Sequence, residues 1–149
     1  MTTKVGVRGI IVIDNAVVMV RHNENDDSFY LFPGGGVEAN ESIFDAVKRE
    51  VAEEVSLDVD PEKIVYIRET KINNDFGLEI YVLCKFKAGK LKLGFDPEKS
   101  SQVLTGVDIL NVNDLLTQKW YPLELKEFFL DDIKNSFSEF RYLGVSKIN

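Results

Sequence analysis

The sequence is poor in cysteine, histidine, tryptophan and proline, with one, one, one and four among 149 residues. A single cysteine, Cys84, rules out an internal disulfide and fits a reducing cytoplasm. Set in an apolar stretch, it reads as a small core residue. The single histidine, His22, lies near a loop and reads as a surface residue rather than a general base. No apolar run approaches the roughly 18 residues that a membrane helix needs. The first residues lead straight into an alternating pattern with no cleavage site, so no signal peptide is expected and a cytoplasmic location is. Basic residues are in deficit: the net charge is −7. That argues against a grip on duplex nucleic acid, which needs a basic face. Small anionic substrates remain open, because a bound metal can invert the local field. Internal repeats, linkers and low-complexity segments are absent too.

What is present is ordinary for one soluble domain spanning 1–149, with 44% hydrophobic and 29% charged residues. Val5 to Ile13 reads as a mostly buried strand, and Asp14-Asn15 turns it into a second, Ala16 to Arg21. His22 to Ser28 reads as a loop, and Phe29 to Phe32 as a short strand ending at Pro33. The run Gly34-Gly35-Gly36 is expected to be irregular, with freedom for positive φ and for close backbone approach to a ligand. Asn40 is a good helix N-cap, and a helix is expected from about Glu41 to Val55 with Phe44, Val47, Val51 and Val55 as its apolar stripe. Ile64 to Ile72 and Leu78 to Phe86 are expected strands joined at Asn73-Asn74-Asp75. Val103 to Leu110 is another, followed by a helical turn at Val112 to Leu116. Pro122 suits the first position of a helix reaching Ile133. Phe140 to Val145 can form a last strand. The mixture predicts an α/β or α+β fold with two sizeable helices.

The most informative stretch runs from Gly35 to Leu57. On a helical wheel with Glu50 at zero, Glu54 falls at about 40° and Glu53 at about 300°. Val47, Val51 and Phe44 fall at about 60 to 120°. Glu50 and Glu54 therefore border the buried face, and Glu53 lies toward solvent. Like charges at these spacings each cost a few tenths of a kcal/mol. The pattern is poor for a helix and good for a hard cation. Magnesium takes oxygen ligands, few from protein, and leaves positions for water and phosphate. A glycine-loop carbonyl with two or three glutamates suits it. An amphipathic helix with a solvated acidic face is the plainer reading of the three glutamates alone.

The spacing resembles the Nudix box. Gly35 matches its first glycine, Glu41 its first glutamate, Arg49-Glu50 its Arg-Glu pair, Glu53-Glu54 its Glu-Glu pair, and Val51 and Leu57 its aliphatic positions. Ser56 departs from the pattern, where the family usually has glycine. A serine at such a helix exit costs about 1 kcal/mol and removes no ligand. The resemblance implies an α/β/α sandwich with a mixed sheet and a loop–helix–loop catalytic motif. It also implies Mg²⁺- or Mn²⁺-dependent hydrolysis of a nucleoside diphosphate linked to another moiety. Glu50, Glu54 and the Gly35 carbonyl are then metal ligands. Glu53 is a further ligand or the base that orients water, with Glu50 its rival as base. Arg49 holds Glu41 and steadies the loop against the helix.

Phosphate contacts are expected from Arg8, an odd polar residue on an apolar strand, and from Arg21, with Lys71 a weaker candidate. Tyr30 and Phe32 can stack on a base, and Glu98, ahead of Gln102, can add another acid ligand. Trp120 and Tyr121 are expected to pack the last helix on the sheet; walling the substrate pocket is the lesser reading. Marks of the NADH, ADP-ribose, diadenosine-polyphosphate and coenzyme A branches are missing. A small nucleotide, such as an oxidised or ordinary nucleoside triphosphate cleaved to monophosphate and pyrophosphate, is the expected substrate. ADP-ribose or a nucleotide sugar is the alternative. A non-catalytic nucleotide- or RNA-binding module is the rival of another class, and such a module is expected to lose box acids. A calcium loop lacks support, since alternating Asp/Asn ligands are missing. No membrane partner is expected, and a homodimer is compatible with the sequence.

Overall fold

The computed structural model describes residues 3–92, 94 and 104–148. Strands β1 (Thr3–Ile13), β2 (Ala16–Glu24), β3 (Asp27–Leu31) and β4 (Gly34–Gly36) precede helix α1 (Ile43–Val55). Strands β5 (Leu57–Ile72), β6 (Asp75–Gly89) and β7 (Leu104–Leu110) follow, then α2 (Val112–Thr117), a 3₁₀ turn (Leu123–Leu125), α3 (Phe129–Lys134) and β8 (Arg141–Ile148). The sheet order is β3-β2-β1-β6-β5-β8, with β4 on β1 and β7 on β2. The sheet is mixed: β1 runs parallel to β6 and β5 parallel to β8.

Strand side chains alternate between faces, and the core divides accordingly. Val7, Val18, Val20 and Val82 face α1 with Ala46, Val47, Val51 and Val55. Ile10, Val17, Met19 and Tyr81 face the C-terminal segments with Leu115, Trp120, Leu125 and Phe129. This is the expected sandwich. Gly9 lets α1 lie close: a Cβ there would stand 2.9 Å from Val51 Cγ2 and 3.4 Å from Val47 Cγ2.

Several expectations need correction. Gly34–Gly36 is not irregular but a short strand paired antiparallel to Gly6, Val7 and Arg8. Its glycines supply room rather than positive φ: a Cβ on Gly34 would lie 1.9 Å from the Val7 carbonyl oxygen. Ser42, not Asn40, caps α1, its hydroxyl accepting from the Asp45 amide at 3.0 Å. Asn40 stands earlier at φ 64°, which asparagine tolerates. Phe44 is 39% exposed, and Ala46 takes its place in the stripe. The expected loop at 22–28 is a hairpin, its turn made by Asn25 and Asp26 at positive φ. His22 is buried and stacks on Phe29 at 5.6 Å, not at the surface. β5 and β6 are longer than expected because three register shifts break their alternation. The helix expected from Pro122 is a 3₁₀ turn and a short α-helix with a non-helical junction at Phe128. Periods of 3.0 and 3.6 leave nearly the same apolar pattern over so few residues.

Ser56 adopts the left-handed conformation, φ 63° and ψ 29°. Its hydroxyl donates to the Lys92 carbonyl at 3.1 Å. The amides of Lys92 and Gly94 donate to the Val55 and Glu54 carbonyls at 3.0 and 2.8 Å. A distant segment thus satisfies helix-end carbonyls that would otherwise lack partners.

Gly9→Ala is expected to lose about 1–3 kcal/mol, because its methyl must displace the valines that seat α1. Urea denaturation of the two proteins measures the difference.

Candidate active site

Helix α1 and strand β4 together build the site. Glu54 and Glu50 are 2% and 6% exposed, on the edge of the core where the wheel places them. The Gly34 amide donates to Glu54 Oε1 at 2.6 Å. The Glu50 carboxylate rests on Gly35, where a Cβ would lie 2.5 Å from Glu50 Oε1. A side chain at 35 would have to displace that carboxylate, which occupies its space. Glu53 is more open, its side chain 41% exposed.

Arg49 organises the acids. Its Nε and Nη2 donate to the two oxygens of Glu41 at 2.7 and 2.9 Å, a bidentate clamp. Nη1 donates to Glu50 at 2.9 Å and Glu53 at 3.2 Å, and Nη2 to the Gly36 carbonyl at 2.9 Å. Glu41 in turn accepts from the Glu38 amide at 3.0 Å. The Arg49 hydrogen bonds hold the Glu41 carboxyl below its ordinary value and raise Arg49 further. Among the described residues no three acid, histidine or cysteine side chains are arranged to hold a metal by themselves. The donor set still fits Mg²⁺ or Mn²⁺. It is all oxygen, it has two buried carboxylates beside backbone, and magnesium is commonly held by one or two carboxylates with substrate phosphates. Glu98, the further acid expected, lies outside the described residues, as does Gln102.

Two recesses flank β1. A smaller one of about 370 Å³ is lined by Gly35, Gly36, Lys4 and Thr70. A cleft of about 660 Å³ has walls from Phe29, Leu31, Tyr121 and Leu123. Arg8 and Glu79 line both. Arg8 Nη1 donates to the Phe32 carbonyl at 2.9 Å, and its Nε lies 3.6 Å from Glu79. Arg68 Nη1 and the Tyr81 hydroxyl also donate to Glu79, at 3.0 and 2.6 Å. Burial pushes the Glu79 carboxyl upward, but Arg8, Tyr81 and Arg68 together hold it below the ordinary range.

The remaining candidates are placed differently from expectation. Arg21 and Tyr30 line neither recess. Both turn to Asp108, with Arg21 at 3.8 Å and the Tyr30 hydroxyl donating at 2.8 Å. Phe32 reaches the cleft but is 1% exposed, its ring packed by Tyr81, Trp120 and Phe129. It has no free face to stack. Lys71 covers the Phe76 ring at 5.8 Å. Trp120 is core, as expected, but Tyr121 walls the cleft. Sequence reasoning missed Glu79 and Arg68, which line the cleft. The signal that singled out Arg8, a charge in an apolar strand, also marks Glu79 and Arg68.

The NUDIX domain model matches residues 3–129. The chain belongs to the Nudix family. Solved structures resemble it in fold at low identity. The Escherichia coli ORF135 protein is 18% identical over 93% of this chain and 96% of its own, with a TM-score of 0.74. A Nudix hydrolase of Nitrosomonas europaea is 15% identical over 99% of this chain and 81% of its own, TM-score 0.78. An ADP-ribose pyrophosphatase of Streptococcus suis is 19% identical over 97% of this chain and all of its own (100%), TM-score 0.68. No curated protein matches the sequence significantly. Nudix hydrolases generally use a divalent metal, which agrees with the oxygen-rich donor set.

Glu79→Gln is expected to destabilise this Nudix protein by about 1–3 kcal/mol at pH 7, because two arginines lose a charged acceptor. A carboxyl held below its ordinary 4.5 stabilises the fold above that pH. That stabilisation is lost as pH falls through the lower folded value. Denaturation of both proteins across pH 7 to 3 should therefore show the gap narrowing in acid.

Proposed function

We propose that this hydrolase cleaves a phosphoanhydride bond in a nucleoside diphosphate linked to a further group, with a Mg²⁺ or Mn²⁺ ion. The observation that carries the reading is the pair of buried carboxylates, Glu50 and Glu54, set against Gly34-Gly35 beside a recess bordered by Arg8. In this reading the two carboxylates and the Gly35 carbonyl hold the ion. When bound, the metal neutralises phosphate charge and acidifies water. The protein's own residues do the positioning on which phosphoryl transfer largely depends. Glu53 is the most open of the three α1 glutamates, so its carboxylate orients the attacking water and accepts its proton; Glu50 is the rival for that task. Arg49 is a positioning residue that fixes Glu41, Glu50, Glu53 and the Gly36 carbonyl in one frame. Arg8 faces the phosphates at the junction of the two recesses.

A nucleoside triphosphate giving monophosphate and pyrophosphate is the leading substrate. The likeness to the Streptococcus suis ADP-ribose pyrophosphatase favours a second reading, in which the leaving group is a sugar phosphate. A nucleotide panel separates them by product. Wild-type protein should release phosphate products with Mg²⁺ and none with excess chelator. Glu54→Gln should retain its fold and lose at least about 10–100-fold in turnover, the scale of damage to a metal site. A folded Glu54→Gln with undiminished turnover would falsify the metal assignment.

A further inference from the structure

We propose that the chain leaving β6 is a strap that positions the metal acids of α1, with Ser56 and Gly94 as its positioning residues. The inference rests on the metal reading above and deepens it. Glu53 and Glu54 lie in the last turn of α1, which ends at Val55. The last carbonyls of a helix lack intrahelical partners, and helix ends fray. This end is also the negative pole of the helix dipole, where acids are unfavourable. No basic residue stands in the last turn to offset them. Ligands of a metal site must nevertheless be held within about 0.5 Å of their working positions. Something outside the helix has to hold its end.

The strap does so at three places. Leu91 packs against the core beneath α1 and anchors it. The Lys92 amide donates to the Val55 carbonyl at 3.0 Å, and the Gly94 amide to the Glu54 carbonyl at 2.8 Å. Glu54 is therefore fixed twice, its carbonyl by the strap and its carboxylate by the Gly34 amide. Gly94 lies directly on the backbone of Glu53: a Cβ there would stand 2.7 Å from the Glu53 carbonyl carbon and closer still to its oxygen. A side chain at 94 would have to push the strap or the helix end away. Ser56 completes the tie, its hydroxyl donating to the Lys92 carbonyl at 3.1 Å. Lys92 is thus held through its amide by Val55 and through its carbonyl by Ser56. Glycine at 56 would suit the left-handed turn better, but it has no hydroxyl to make this bond. The departure of Ser56 from the box pattern exchanges backbone ease for a grip on the strap.

The test uses the full chain and reads helix opening, metal affinity and global stability separately. In Ser56→Gly the urea midpoint is expected to hold, because glycine suits the left-handed turn. Hydrogen exchange at the Glu54 and Val55 amides should quicken by about 3–10-fold, and Mn²⁺ affinity by electron paramagnetic resonance should weaken by a similar factor, the scale of one net hydrogen bond. Ser56→Ala loses the same bond but keeps the strain, so it should match that loss of affinity while unfolding at lower urea. Gly94→Ala should weaken Mn²⁺ binding by at least about 10-fold, the low end for loss of a support behind metal ligands. The Ser56 variants carry the test if Gly94→Ala does not fold. A merely structural role would make Mn²⁺ affinity follow the urea midpoint and leave Ser56→Gly equal to wild type, which overturns the proposal, as does unchanged exchange. Mn²⁺ bound equally by wild type and both Ser56 variants overturns the proposal alone. Wild-type protein that binds no Mn²⁺ overturns the metal reading and the proposal with it.

Discussion

Two carboxylates on one helix are buried against a strand made only of glycine, and the rest of the site depends on that contact. Buried carboxylates are costly unless they are hydrogen-bonded or paired. Glu54 meets the requirement through the Gly34 amide, and Glu50 through Arg49. The missing side chain at Gly35 leaves room for the Glu50 carboxylate, and that at Gly34 lets β4 lie tight against β1, whose pairing holds both glycines beside the helix. Gly9 on β1 serves the same end from the other side by letting α1 settle on the sheet.

From this contact the order extends outward. Arg49 leaves the helix beside Glu50 and gathers Glu41, Glu53 and the Gly36 carbonyl. It thereby converts four like charges, Glu38 among them, into a frame around one cation. On the far side of β1, Glu79 does the reverse, one anion shared by Arg8 and Arg68. The two clusters have opposite polarity and are joined through β1 and its glycine partner. A substrate lying across Arg8 would meet acids that suit a metal at one end and a mixed donor–acceptor surface at the other.

Much of this was legible in the sequence, for definite reasons. Helical geometry is regular enough that a wheel separated Glu50 and Glu54 from Glu53, and burial agrees with it. Ser56, expected only to cost stability at the helix exit, takes the left-handed conformation that a glycine there would. The glycine run was misread because glycine signals both conformational freedom and the need for space; the sequence alone does not distinguish them. Asn40 was expected as the cap, but Ser42 serves, and Glu41 lies outside the helix held by Arg49. The C-terminal segments blurred because a 3₁₀ turn and a short helix imitate one longer helix. Glu124 lies in that segment, and only β8, much later in the chain, brings Ser146 beside it. Arg21 and Tyr30 were plausible by position, but both are taken up by Asp108 on β7, a pairing that no local pattern announces.

The central claim is that the buried pair on α1 is a metal site rather than a structural clasp. Mn²⁺ binding, read by electron paramagnetic resonance on wild-type protein and on folded Glu50→Gln, tests it without any substrate. The account predicts a bound ion in the wild type and affinity at least about 10-fold weaker in the variant, the low end for damage to a metal site. Equal Mn²⁺ affinity in the two proteins would contradict it.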